Sequence, residues 1–132
     1  MKAIITEKIA ILINEQLIRK YSSGEMCGVK EPNLLNSAIN RPNQTMFGEY
    51  LYKDVFEKAV ALYESLAKNH VFYNANKRTA FACMAYYLFE RGYVCVLSEK
   101  KAADLTVNFV VGKLSFDEVV EIVKKNCYRK NR

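Results

Sequence analysis

His70-Val71-Phe72-Tyr73-Asn74-Ala75-Asn76-Lys77-Arg78-Thr79-Ala80 is a short, largely polar stretch set between two apolar runs, and its reading decides the fold. Upstream, Val55, Phe56, Ala59, Val60, Leu62, Tyr63, Leu66 and Ala67 recur at helical spacing. Downstream, a second helix is predicted from Asn76 or Lys77 to Arg91, with Gly92 as its stop. Ten successive apolar or weakly polar residues, Ala80 to Phe89, leave it no solvated face, so it is expected in the middle of the fold. A buried helix that begins at a polar loop presents unpaired backbone N–H groups and the positive end of its dipole there. That end suits an anion such as phosphate. The loop also holds the only histidine in the chain.

On the N-terminal side, Thr6 is a plausible N-cap for a helix reaching Lys20, with Ile9, Leu12, Ile13 and Leu17 on its apolar face. Ser22-Ser23-Gly24 ends it, and Ser22 to Pro32 reads as loop. A shorter helix follows, with Leu34, Leu35, Ala38 and Ile39 inward and Pro42 at its end. Residues 41–50 show no period; Met46, Phe47 and Tyr50 there either cover a site or tuck into the core. On the C-terminal side, Tyr93 to Leu97 is β-favouring but too short to require a sheet. Ser98 can cap a helix with Ala102, Leu105, Phe109 and Val110 inward and Gly112 after it. Ser115 and Glu118 form a capping box for a last helix striped by Phe116, Val119, Val120 and Val123. The expected architecture is all-α, about six helices around the central helix of residues 76–91.

The chain of 132 residues is read as one domain, 1–132, with room for a hydrophobic core. Its 51% apolar and 26% charged residues are those of an ordinary globular protein. Cys27, Cys83, Cys95 and Cys127 contain no C-x-x-C pair, and with one histidine no usual zinc set can be assembled. Cys83 falls on the central helix as a small core residue. This cysteine usage suggests a reducing, cytoplasmic setting. Lys2, Ile4, Ile5 and Ile9–Ile13 hint at a signal peptide, but Glu7, Lys8, Asn14 and Glu15 interrupt the run and no membrane span follows. The net charge of +6 is concentrated at the end, where Lys124, Lys125, Arg129, Lys130 and Arg132 lack acidic neighbours. A solvated helix end explains that tail without invoking nucleic acid.

Each polar residue of the loop has two readings. His70 is either a structural imidazole at a helix end or a general base for a hydroxyl. Asn74 and Asn76 are turn and cap residues, or ligands. Lys77 and Arg78 oppose the helix dipole, which favours acids at its start, and a bound anion would compensate. Phe72 can anchor the loop, while small Ala75 leaves room for phosphate to approach backbone N–H groups. A base, a turn and a phosphate cradle are nearly sufficient for phosphoryl transfer once a divalent metal is added.

This stretch resembles the signature of the Fic superfamily, H-x-F-x-[D/E]-G-N-G-R, and most closely its Doc (death-on-curing) version, H-x-F-x-D-A-N-K-R-T-A. Leu35, Ala38, Ile39 and Pro42, and Ala103-Asp104-Leu105-Thr106, are similar as well. The resemblance implies a small all-α transferase that moves part of a nucleoside triphosphate, with Mg²⁺, to a hydroxyl of a target protein. His70 would deprotonate that hydroxyl. Ala75, Asn76, Lys77 and Arg78 would hold phosphates, Asn74 would face Mg²⁺, and Phe72 would anchor the motif. Lysine at position 77, where adenylylating members have glycine, implies the Doc reaction: delivery of the γ-phosphoryl group of ATP to a threonine of translation elongation factor Tu. It also implies a toxin restrained by a small antitoxin, and thus a block on translation.

Two positions depart from the pattern. Asn74 replaces an acid, so it lends Mg²⁺ an oxygen but no charge. Phe81 stands where many adenylylating members have a second arginine, in keeping with the Doc branch. Thr45 to Glu49 fits part of a self-inhibitory motif, but Tyr50 breaks it, so inhibition is expected from a separate chain. The competing readings are an adenylyltransferase, which Lys77 opposes, and a non-catalytic module binding an antitoxin or nucleotide, which Asn74 favours. A metal-dependent nuclease lacks the clustered acids or histidines it needs.

Overall fold

The computed structural model describes residues 5–130; Lys2, Ile4 and Arg132, used above, lie outside them. Among the described residues there are six α-helices, as expected: α1 (Glu7–Tyr21), α2 (Pro32–Asn40), α3 (Val55–Lys68), α4 (Asn76–Glu90), α5 (Glu99–Val110) and α6 (Phe116–Lys125). Two small antiparallel ribbons accompany them, β1 (Thr45–Met46) with β2 (Glu49–Tyr50), and β3 (Tyr93–Cys95) with β4 (Cys127–Arg129). No helix among the described residues is long and apolar enough to cross a membrane.

Caps set most of the helix starts. The Thr6 hydroxyl accepts from the Ile9 N–H at 3.2 Å, and Asp54 with Glu57 and Ser115 with Glu118 form reciprocal capping boxes. The core is built on α3 and α4, which pack along their lengths, with α1, α2, α5 and α6 around them. Ten of the fourteen residues of α3 are buried, which makes it the most enclosed helix. In α4, Thr79, Ala80, Cys83, Met84, Tyr87 and Leu88 form the buried stripe, and Phe81, Ala82, Ala85 and Tyr86 are half-buried. The expectation that α4 has no accessible face is thus corrected, because part of its apolar surface lines a groove. Burial pushes the Cys83 thiol up to about 12, so it stays a neutral core residue.

Other expectations shift by a residue or two. On α1 the buried row is Ala10, Asn14 and Ile18, whereas Leu12 is exposed and Ile9, Ile13 and Leu17 are half-buried. Leu34 of α2 also faces outward. Residues 45–50 fold into a hairpin whose two-residue turn has Phe47 at φ +53 and Gly48 at φ +79, the positive pair that a tight hairpin turn needs. Its apolar residues do not enter the core: Phe47 is 97% exposed. Arg41, in a short 3-10 turn (Arg41–Asn43), joins the hairpin region to α3. It donates to the Tyr52 hydroxyl, the Ala61 carbonyl and the Ser65 hydroxyl at 3.0–3.1 Å and pairs with Glu64 at 2.9 Å. The basic tail is only partly a helix end, since after α6 the chain turns back as β4 and pairs with β3.

Candidate active site

The loop begins where α3 stops. Asn69 closes the helix and His70 follows in the left-handed region at φ +49, a common way to turn the chain at a helix C-terminus. Val71 and Phe72 then dive into the core, at 0% and 1% exposure. The segment before α2, expected as plain loop, works as a belt. Lys30 and Glu31 donate backbone N–H bonds to the Val71 carbonyl at 2.8 and 3.0 Å, and Tyr73 donates to the Gly28 carbonyl at 3.2 Å. The Asn74 amide nitrogen adds a bond to the Met26 carbonyl at 3.0 Å.

The start of α4 is held differently from the starts of its neighbours. Its N-cap is Ala75, at φ +62 and ψ +32, with no side chain that can accept from the first N–H groups. An alanine in this region costs about 1–2 kcal/mol relative to ordinary backbone, so the surroundings must hold it there. Asn76 does much of that work. Its side-chain oxygen accepts from the Phe72 N–H at 2.8 Å, and its nitrogen donates to the Phe72 carbonyl at 2.9 Å. These bonds engage the oxygen and one amide N–H, so the donors Asn76 can still offer a phosphate are its second amide N–H and its backbone N–H. The first turn contains no acid, and Lys77 and Arg78 are both exposed beside it.

His70, Asn74, Ala75, Asn76, Lys77 and Arg78 all line one groove of about 660 Å³, within the ~300–1,000 Å³ usual for small-molecule sites. The end of α1 (Leu17, Tyr21), the start of α4 and one face of α5 (Ala102, Ala103, Thr106, Val107) supply the walls. His70 is exposed and lines this groove. Behind the wall, Tyr63 sits edge-on to Phe81 and bonds the Thr106 hydroxyl; burial pushes the Tyr63 phenol well above its usual range, so it stays neutral.

Three residues escaped the sequence reading. Asn14, 1% exposed, donates to the Asn74 carbonyl at 2.9 Å and to the Thr79 hydroxyl at 3.0 Å, tying α1 to both the loop and α4. Its signal was an asparagine in the row of Ala10 and Ile18. Tyr21 lies under the Arg78 guanidinium, 4.1 Å from ring centre to Cζ, and its hydroxyl reaches Glu99 at 3.5 Å. Glu99, the one carboxylate of the groove lining, thereby closes α5 towards α1. These two gave no local signal, because they meet only in the folded chain.

Among the described residues no group of three or more His, Cys, Asp or Glu side chains could hold a metal ion. Asn74 has its nitrogen committed to Met26 and its oxygen left to offer a lone pair. One neutral oxygen fits Mg²⁺ that is carried mainly by phosphate oxygens, not an ion gripped by the protein.

Comparison with known proteins identifies the family. A model of the Fic/DOC family matches residues 4–88. The chain is 41% identical over 64 residues to "Toxin Doc" of Mycolicibacterium smegmatis, a match spanning 48% of this chain and 49% of that one. It is 29% identical over 125 residues to "Protein kinase doc" of Escherichia phage P1, covering 95% of both. The family match takes in the histidine loop, the belt beneath it and nearly all of α4. The chain belongs to the Fic/DOC family, on its Doc side.

Proposed function

We propose that the protein is the toxin of a toxin–antitoxin pair, and that it transfers the γ-phosphoryl group of a nucleoside triphosphate to a serine or threonine hydroxyl of a target protein. The observation that carries this reading is the uncapped start of α4, flanked by two cations and opening on a groove with the histidine at its edge. The names of the two relatives, a toxin and a protein kinase, support it. In this reading the backbone N–H groups of α4, with Lys77 and Arg78, hold the phosphate oxygens. His70 accepts the proton as the target oxygen bonds to the γ-phosphorus and the bridging P–O bond breaks, releasing the diphosphate. Asn74 would contribute one oxygen to nucleotide-borne Mg²⁺, which neutralises phosphate charge. The target we favour is translation elongation factor Tu, whose modification would block translation in the cytoplasm. The small antitoxin would restrain the enzyme as a separate chain.

Incubation with ATP labelled on either the γ- or the α-phosphate, in a translation extract, tests the reaction. We expect label on protein from the γ position only, and its loss in His70→Ala with unchanged folding. Label from the α position would instead indicate an adenylyltransferase. The neutral amide of Asn74 favours one other reading, a binding module with little catalysis. Asn74→Asp separates the two: on the enzymatic reading it lowers the Mg²⁺ concentration needed for transfer, and on the binding reading it transfers nothing.

A further inference from the structure

Cys95 and Cys127 are far apart in sequence but face each other across the β3–β4 ribbon. The ladder bonds define the kind of pair they form. Val96 N–H donates to the Asn126 carbonyl and Lys130 N–H to the Gly92 carbonyl, both at 2.8 Å, so Cys95 and Cys127 occupy a non-hydrogen-bonded site. Such pairs bring their Cα atoms to about 4.5 Å with the side chains closest, inside the range of about 4.4–6.8 Å that a disulfide spans. Both residues are free thiols, and both are partly accessible. Neither has a part in the phosphoryl-transfer reading.

We propose that Cys95 and Cys127 form an oxidisable dithiol site, closed by a peroxide to an intramolecular disulfide that clamps β4 onto β3. The neighbouring thiols are not equivalent. A hydrogen bond from Cys127, aided by the Leu97 backbone N–H, outweighs burial and brings Cys95 down to about 7, while Cys127 is pushed up by the same neighbour. Cys95 is therefore the nucleophile near neutral pH. Its thiolate attacks one peroxide oxygen, the O–O bond breaks, and the departing oxygen takes a proton and leaves as water. The sulfenic acid left on Cys95 is attacked by the Cys127 sulfur, the S–O bond breaks, and a second water carries off the Cys127 proton. Two thiols are oxidised and one peroxide is reduced to two waters.

The consequence reaches the groove. Beyond Cys95 the chain passes through Val96 to Leu97, a groove residue. The bond would close a loop containing all of α5 and α6, restricting the unfolded chain.

Hydrogen peroxide treatment of the whole protein, followed by denaturing alkylation and peptide mass mapping, tests the site. We expect two of the four thiols to become resistant to alkylation, a linked peptide pair containing Cys95 and Cys127, and reversal by dithiothreitol. The melting temperature should rise by about 5 °C or more. In Cys127→Ser the disulfide should be absent and Cys95 should become reactive to a 1,3-dione probe for sulfenic acid. Four alkylatable thiols after peroxide, or links made instead through Cys27 or between molecules, would overturn the proposal. None of these readouts depends on transferase activity.

Discussion

Asn14 holds two parts of the site at once, because its single amide nitrogen bonds the Asn74 carbonyl of the loop and the Thr79 hydroxyl of α4. Asn14→Ala would leave the buried Thr79 hydroxyl and the partly buried Asn74 carbonyl without that partner, at about 1–3 kcal/mol of stability. On the proposed reading the same change should weaken nucleotide binding and transfer together, since its two bonds flank residues 75–78 at the start of α4. Urea unfolding and single-turnover kinetics would measure the two effects; an unchanged unfolding midpoint would contradict this role for Asn14. The local part of the candidate site was legible because His70 and Asn74 to Arg78 fall within one short stretch, in which Lys77 and Arg78 go against the charge preference of a helix start. Asn14 was not, since its partners lie 60 and 65 positions away. The two bonds between the Asn76 amide and the Phe72 backbone were likewise not legible, because they depend on the turn that the folded loop makes.

The α3–α4 pair is the element on which the site stands, and its interior should be intolerant of lost volume. Leu62 is fully buried in α3, so Leu62→Ala should cost about 2–5 kcal/mol by denaturant unfolding. By contrast Phe47→Ser, at the tip of the hairpin, should change stability by no more than about 0.5 kcal/mol. If the two cost the same, the assignment of the core is wrong. Helices were legible wherever the apolar period was long, as in α3, or a capping box marked the start, as in α6. Short ribbons were not. The β1–β2 turn places a phenylalanine at positive φ, against the usual preference for asparagine or glycine. β4 exists because β3 is there to pair with it, a tertiary cause with no local trace. On α1, Ile9 and Ile13 pack against the core as expected, but Leu12 is apolar yet exposed and Asn14 is polar yet buried, which periodicity alone does not reveal.

Across the whole molecule, one partly buried carboxylate should dominate the response to acid. Burial raises the Glu64 pKa, but bonds from Lys68 and Arg41 more than offset this and bring it below its ordinary value of 4.5. A depressed carboxylate stabilises the fold fully above its unfolded pKa, and the contribution is lost as pH falls through the lower folded value. The melting temperature should therefore drop below about pH 4.5, and Glu64→Gln should be less stable at pH 7 with a shallower acid limb. Equal acid limbs in the two proteins would place the sensitive group elsewhere. The central claim is that a triphosphate rests against the open start of α4 within reach of the His70 imidazole. Proton–nitrogen correlation NMR of the labelled protein, titrated with ATP and Mg²⁺, tests it most directly. The account predicts that the backbone signals of Asn76, Lys77 and Arg78 and the imidazole signals of His70 move together and saturate; nucleotide binding that leaves all four residues unmoved would contradict it.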